Sequence, residues 1–166
     1  NHPAFEEAEK SVADRLNKLL SIQGSQTVES FHKRLGRIMW DKCGMARNEE
    51  GLKQAIAEIR QLKAEFWSDV RIPGGINEVN PELDKAGRVA DFIELGELMC
   101  QDALDRNESC GGHFREESQT EEGEAKRDDV NYAYVAAWEY QKDSQWQLHK
   151  EPLQFEIAKP SQRSYK

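Results

Sequence analysis

Arg106-Asn107-Glu108-Ser109-Cys110-Gly111-Gly112-His113, followed by Arg115 and then by Arg127-Asp128-Asp129, is the stretch on which the reading of this chain turns. Upstream of it, Val89, Phe92, Ile93, Met99 and Ala103 recur at helical spacing and predict one buried stripe that stops at the motif. The paired glycines Gly111 and Gly112 predict that the backbone leaves the helix through positive φ, where a Cβ would be penalised. Two readings follow. In the first, the motif is a helix C-cap: Arg106 and His113 complement the negative end of the dipole and Glu108 ties one of them down. In the second, it is a packing surface for a cofactor domain or a partner subunit, with a directional Arg–Glu pair and a histidine that titrates near neutrality. Spacing alone leaves both open.

Working outward, Asn80 as cap and Pro81 at the first helical position open the helix that ends in the motif. Before it, Arg71-Ile72-Pro73-Gly74-Gly75 breaks the chain. Three earlier helices are predicted. The first runs from Pro3 to Ser21 with Phe5, Ala8, Val12, Leu16 and Leu19 on one face, and Gly24 is expected to end it. The second is capped by Thr27, turns Val28, Phe31, Leu35, Ile38 and Met39 inward and stops at Gly44. The third is capped by Asn48, with Glu49 and Glu50 at the positive end of its dipole and Leu52, Ile56, Ile59, Phe66 and Val70 inward. Links of a few residues make these antiparallel neighbours, hence a three-helix bundle with the long fourth helix packed on it.

After the motif, residues 116–129 are acidic and lack large apolar side chains, which predicts a solvated loop. Tyr132, Tyr134, Trp138 and Tyr140 then fall at even spacing, as on one face of a strand, and residues 141–144 can turn the chain. Trp146 and Leu148, and again Leu153, Phe155 and Ile157, alternate with polar residues and give two further strand candidates. The aromatics read as a minor core, and His32 and His149 as surface or cap residues. The fold class is therefore mainly α: a three-helix, spectrin-repeat-like bundle plus a further long helix over residues 1–115, then an acidic loop and a small β or extended tail over residues 116–166. The whole is one compact domain.

Composition narrows the function. A chain of 166 residues can bury roughly two-thirds of its unfolded surface, enough for one core. With 23 basic and 31 acidic residues the net charge is −8, which opposes binding to nucleic acid or anionic lipid. No apolar run approaches the ~20 residues of a membrane-spanning helix, and no charged-then-apolar leader is expected. Cys43, Cys100 and Cys110 form no C-x-x-C pair, so a disulfide framework is not expected and a reducing compartment fits. Cys100, Cys110 and His113 lack a fourth ligand for zinc, and burial is the expected state of Cys110.

Beyond spacing, Arg106-x-Glu108-Ser109-x-Gly111-x-His113-x-Arg115, then Arg127-Asp128-Asp129 with Asn131 close behind, resembles the signature in the C-terminal domain of succinate dehydrogenase and fumarate reductase flavoprotein subunits. Leu35-Gly36-Arg37-Ile38-Met39, Cys43-Gly44, Arg47-Asn48 and Glu94-Leu95-Gly96-Glu97-Leu98 are similar to that family's helices. Lys159-Pro160 through Arg163-Ser164-Tyr165 resembles its basic, tyrosine-containing terminus. Where the commonest signature has Arg and Ala, this chain has Cys110 and Gly112; that version resembles a bacterial subgroup with an iron-sulfur subunit, a di-haem cytochrome b anchor and menaquinone. L-aspartate oxidase carries a similar signature. A stand-alone helical interaction module is the reading outside this family.

The resemblance implies FAD and dicarboxylate sites in flavin-binding and capping domains, and no Gly-rich fingerprint after an apolar strand is present here. The fragment itself is thus expected to hold no FAD and no metal and to be inactive alone. Its implied partners are its own FAD-binding and capping domains, the iron-sulfur subunit and, indirectly, the cytochrome b anchor, on the cytoplasmic face of the bacterial inner membrane. Arg106, Glu108, Ser109, Gly111, Gly112, His113, Arg115, Arg127, Asp128 and Asp129 are the candidate interface and structural residues, and none is expected to be catalytic.

Overall fold

A computed structural model describes residues 2–142, 145–158 and 160–161. Four helices carry the fold: α1 (Pro3–Ser21), α2 (Val28–Cys43), α3 (Glu49–Asp69) and α4 (Pro81–Asp105). Their starts are set by side chains that satisfy the free amides of a first turn. Thr27 accepts from the Ser30 amide, Asn48 from the Gly51 amide and Asn80 from the Leu83 amide. Asn80 also donates to the carbonyls of Pro73 and Gly75, so one side chain fixes both the α4 start and the loop before it.

The helices that pack mutually are α2, α3 and α4, while α1 lies chiefly along α4. The bundle is thus built from the second, third and fourth helices, with the first as the additional one. Sequence periodicity places α1 in the bundle because Phe5, Ala8 and Val12 continue the face of Leu16 and Leu19. In the fold Leu19 is buried, whereas Phe5 and Val12 are 76% and 59% exposed. Arg15 adds an exposed 2.5 Å ion pair with Asp91 on α4. Ile22, not Gly24, is the C-cap of α1. Gly24 serves a different purpose: a Cβ there would sit 1.9 Å from the Asp69 carbonyl oxygen.

In the bundle core Phe31 meets Phe66 edge-on at 5.3 Å, and Ile59, Leu62 and Ile93 are buried in the same cluster. Gly96 lets α4 approach α2, since a Cβ there would press on Leu35 and Met39 at 3.3 Å. Glu97 is buried on α4 and matched by Arg60 of α3 at 2.7 Å, which keeps the carboxylate from being an uncompensated charge. The α4 stripe differs from expectation. Val89, Ile93 and Ala103 face the core with Ala86, Ala90 and Cys100, but Phe92 and Met99 point outward.

Two short parallel pairs, invisible in local sequence, tie the helix ends together: β1 (Gln26–Thr27) with β3 (Val70–Arg71), and β2 (Ala46–Arg47) with β4 (Phe114–Arg115). The C-terminal part forms one antiparallel hairpin of β5 (Tyr134–Lys142) and β6 (Gln145–Pro152). The third expected strand is not formed. Pro152 has no amide to donate, the Leu153 amide donates a last ladder bond to the Ala133 carbonyl, and Phe155 and Ile157 then run exposed. Tyr132 precedes the strand, and Tyr140 is half exposed, paired with Trp146 at 5.1 Å. Asp143 and Ser144 of the expected turn, and Lys159 and Arg163 to Tyr165 of the resembling tail, lie outside the described residues.

Candidate functional site: the motif knot at the end of the long helix

α4 ends at Arg106, five residues before Gly111, so the glycines do not terminate it. The carbonyls left free by that ending meet the Arg115 guanidinium, which is 1% exposed. Its Nη1 donates to the carbonyls of Ala103 at 2.9 Å, Leu104 at 3.2 Å and Arg106 at 3.5 Å, while Nε donates to Glu117 Oε2 at 3.0 Å. A fixed positive charge therefore sits at the negative end of the helix dipole. The C-cap reading stands with a change of residue: Arg115 and His113 face the helix end, and Arg106 turns away from it.

His113 is held from two sides. Its Nδ1 lies 2.9 Å from Arg47 Nη1, and its Nε2 lies 2.7 Å from the Arg106 carbonyl. Because a guanidinium can only donate, Nδ1 must accept, and the proton belongs on Nε2, which donates to that carbonyl. Burial pushes the imidazole below its usual value, and Arg47, Arg115 and Arg106 push it further, against the carbonyl's opposing pull. A neutral ring follows.

Gly111 supplies the turn between Cys110 and His113 at φ +59°, and these two residues exchange both backbone hydrogen bonds across it. Gly112 is exposed in the same turn with φ outside the positive range. Ser109 is fully buried: its Oγ accepts from the Arg115 amide at 2.8 Å and donates to the Arg115 carbonyl at 3.1 Å. Glu108, also buried, pairs with Arg106 at 3.3 Å and accepts from the Asp128 amide at 2.8 Å. Arg106 further donates to the carbonyls of Tyr132 and Tyr134 and lies over both rings. One ion pair therefore joins the helix end, the 116–129 loop and the hairpin.

Asp128 accepts from the amides of Val130 and Asn131 and from the Asn131 side chain, and the bonds from Asn131 hold its carboxyl below the usual range. Arg127 and Asp129 form a bidentate pair at the rim, closest at 2.6 Å. Cys110 is half-buried rather than buried. It lines a cleft of about 440 Å³ with Arg106, Glu108, Arg127, Tyr134 and Phe155. Both guanidiniums of that cleft already face a carboxylate, so it offers no unmatched positive charge to an anion.

Several residues of the knot carry no signal in the motif. Arg47 reaches it only through the β2–β4 pairing, and its carbonyl accepts from the Glu116 amide. Asn48 donates to Glu116, and Glu117 accepts from the Glu49 amide at 2.6 Å. The acidic loop is thereby tied to the α3 start, where unpaired amides favour carboxylates. The Arg47-Asn48 pair is the one hint that the sequence offers.

A helical bundle whose long helix ends in an arginine-capped Glu-Ser-Cys-Gly-Gly-His knot, trailed by a hairpin, defines a helical domain with a short β appendage. The family described as "Fumarate reductase flavoprotein C-term" matches residues 32–165, and the chain belongs to it. A fumarate reductase flavoprotein subunit of Haemophilus influenzae is 23% identical over 99% of this chain and 26% of its own length. A solved quinol fumarate reductase of E. coli superimposes with TM-score 0.84 at 25% identity, covering 98% of this chain and 27% of that one. L-aspartate oxidase of Synechocystis matches more weakly, 28% identical over 51% of this chain and 18% of its own length. The chain spans about a quarter of the length of the fumarate reductase subunits it matches.

Proposed function

We propose that this chain is the helical carboxy-terminal part of an FAD-dependent oxidoreductase subunit that interconverts succinate and fumarate, and that its own part is to brace and dock rather than to react. The observation that carries the reading is the near-complete superposition, 98% of the chain, on a quinol fumarate reductase. The aspartate oxidase reading is supported over only half of the chain.

The described residues do not fit FAD. Of their positive-φ glycines, Gly111 and Gly123 precede strands rather than a helix, while Gly74, in the loop from β3 to α4, lies beside a Gly75 amide already taken by Glu78 and a helix start capped by Asn80; the cleft arginines are already paired. On this reading flavin, dicarboxylate and hydride transfer belong to an upstream portion, as in the subunits that the chain resembles. Partners are that portion, an iron-sulfur subunit and, through it, a membrane anchor on the cytoplasmic face. No helix among the described residues is long and apolar enough to cross a membrane.

Within this reading Arg106, Glu108, Ser109, Gly111, Gly112, His113, Arg115, Arg127, Asp128 and Asp129 shape the docking surface. The test is to purify the polypeptide with its upstream portion and record its visible spectrum and its turnover. Bound flavin with succinate–fumarate activity is expected. Absence of flavin overturns the reading, and turnover of L-aspartate instead moves the chain to the oxidase. Glu108→Ala should loosen assembly because it frees Arg106 and the Asp128 amide together; unchanged assembly, flavin content and turnover would remove Glu108 from the proposal.

A further inference from the structure

α4 is apolar on two sides. Its inner stripe builds the bundle core, yet Phe92, Leu95 and Met99 form a second stripe at i, i+3 and i+7 that is 44%, 52% and 47% exposed. That stripe runs into a groove between α4 and β5 lined by Leu98, Ala136 and Trp138. Asp84, Arg88 and Asp91 keep another side of the helix polar and solvated, so three large apolar side chains grouped on one exposed stripe, rather than scattered singly, mark a contact surface. The ends of the groove are fixed. Trp138 Nε1 donates to Asp102 at 2.7 Å and the Tyr134 hydroxyl donates to Asp105, so the hairpin cannot fold over the stripe without breaking both.

We infer that the outer stripe of α4, with the α4–β5 groove, is the seat on which the upstream portion of the same polypeptide packs. The inference rests on the proposed function and supplies its contact surface. The occupant follows from length: the matching subunits are about four times as long as the region this chain covers, and the matched family is their carboxy-terminal part. Most of the polypeptide is therefore available to cover the stripe. The face is also central, on the longest helix and next to the motif knot, so a domain seated there touches the element that the knot terminates.

Hydroxyl-radical footprinting of the full-length flavoprotein, read by mass spectrometry at Met99, tests this directly. An exposure of 47% predicts only about a twofold slower oxidation of Met99 than in the urea-unfolded protein, whereas coverage predicts slowing of about tenfold or more. Leu95→Glu in the full-length protein should reduce retained flavin and expose Met99, because the new charge would be buried at the contact. Val79→Glu, at a 96% exposed position, should do neither. Protein that holds flavin yet oxidises Met99 at the twofold-slowed rate overturns the inference and leaves the proposed function standing. Protection that disappears on dilution assigns the face to a second copy of the chain and also overturns it. Protein without flavin overturns both.

Discussion

Arg115 performs the work that the C-cap reading of the motif gives to Arg106. Removing its guanidinium would leave the carbonyls of Ala103, Leu104 and Arg106 without their donor and Glu117 without its cation. Arg115→Met is expected to cost about 3–5 kcal/mol in urea unfolding, the range for breaking a buried charged network from one side. Arg115→Lys should recover little, since a single ammonium cannot span three carbonyls and a carboxylate. An unfolding midpoint unchanged in Arg115→Met would contradict the capping role. His113 gives a pH prediction of definite sign. Its folded value lies below the ordinary 6.5, so the unfolded chain binds the proton more readily. Its contribution is intact above that ordinary value and is lost as pH falls through the lower folded one. Stability should thus drop as pH falls below about 6.5, and His113→Gln should flatten the His-dependent part of that slope. Equal slopes in the two proteins would show that protonation of His113 is not penalised by its burial and the surrounding guanidiniums.

At the scale of elements, two glycines of similar appearance in sequence have opposite uses. Gly36 lies mid-helix in α2, where an added Cβ would meet nothing within 4 Å, so Gly36→Ala should raise stability by about 1 kcal/mol in thermal melting. Gly24 lies against the Asp69 backbone, and Gly24→Ala should destabilise, by about 1–3 kcal/mol, through displacement of β1 from β3. A stabilised Gly24→Ala protein would contradict the close approach. Helix starts are legible in the sequence because Thr27, Asn48 and Asn80 act on amides only three residues ahead. The parallel pairs are not, since Gln26 meets Val70 and Ala46 meets Phe114 across most of the bundle. The same distance hides Arg47 and Glu117 from the motif. Periodicity also misassigns Phe92 and Met99, because a helix with two apolar faces yields one continuous signal. The α1 stripe misleads for a related reason: an apolar face reports that something should cover it, without reporting which body does.

Across the whole molecule, stability should be graded from bundle to hairpin. The bundle shares one continuous core from Leu19 to Ala103, whereas β5 and β6 present mostly exposed side chains and pair chiefly with each other. What joins the hairpin to the helices is polar and narrow: Trp138 to Asp102, Tyr134 to Asp105, and Arg106 to the carbonyls of Tyr132 and Tyr134. Segments held by few buried contacts open well below the global unfolding energy. Trp138→Phe keeps an aromatic ring and deletes the donor to a carboxylate, a bond worth about 1.5–3 kcal/mol. Amides of β5 and β6 should then exchange about tenfold or more faster, at about 1.4 kcal/mol per tenfold, with α3 amides unchanged. Equal acceleration in α3 would mean that hairpin and bundle open as one unit. If neither accelerates, the Trp138–Asp102 bond is not what holds the hairpin on α4, and the Arg106 contacts must suffice.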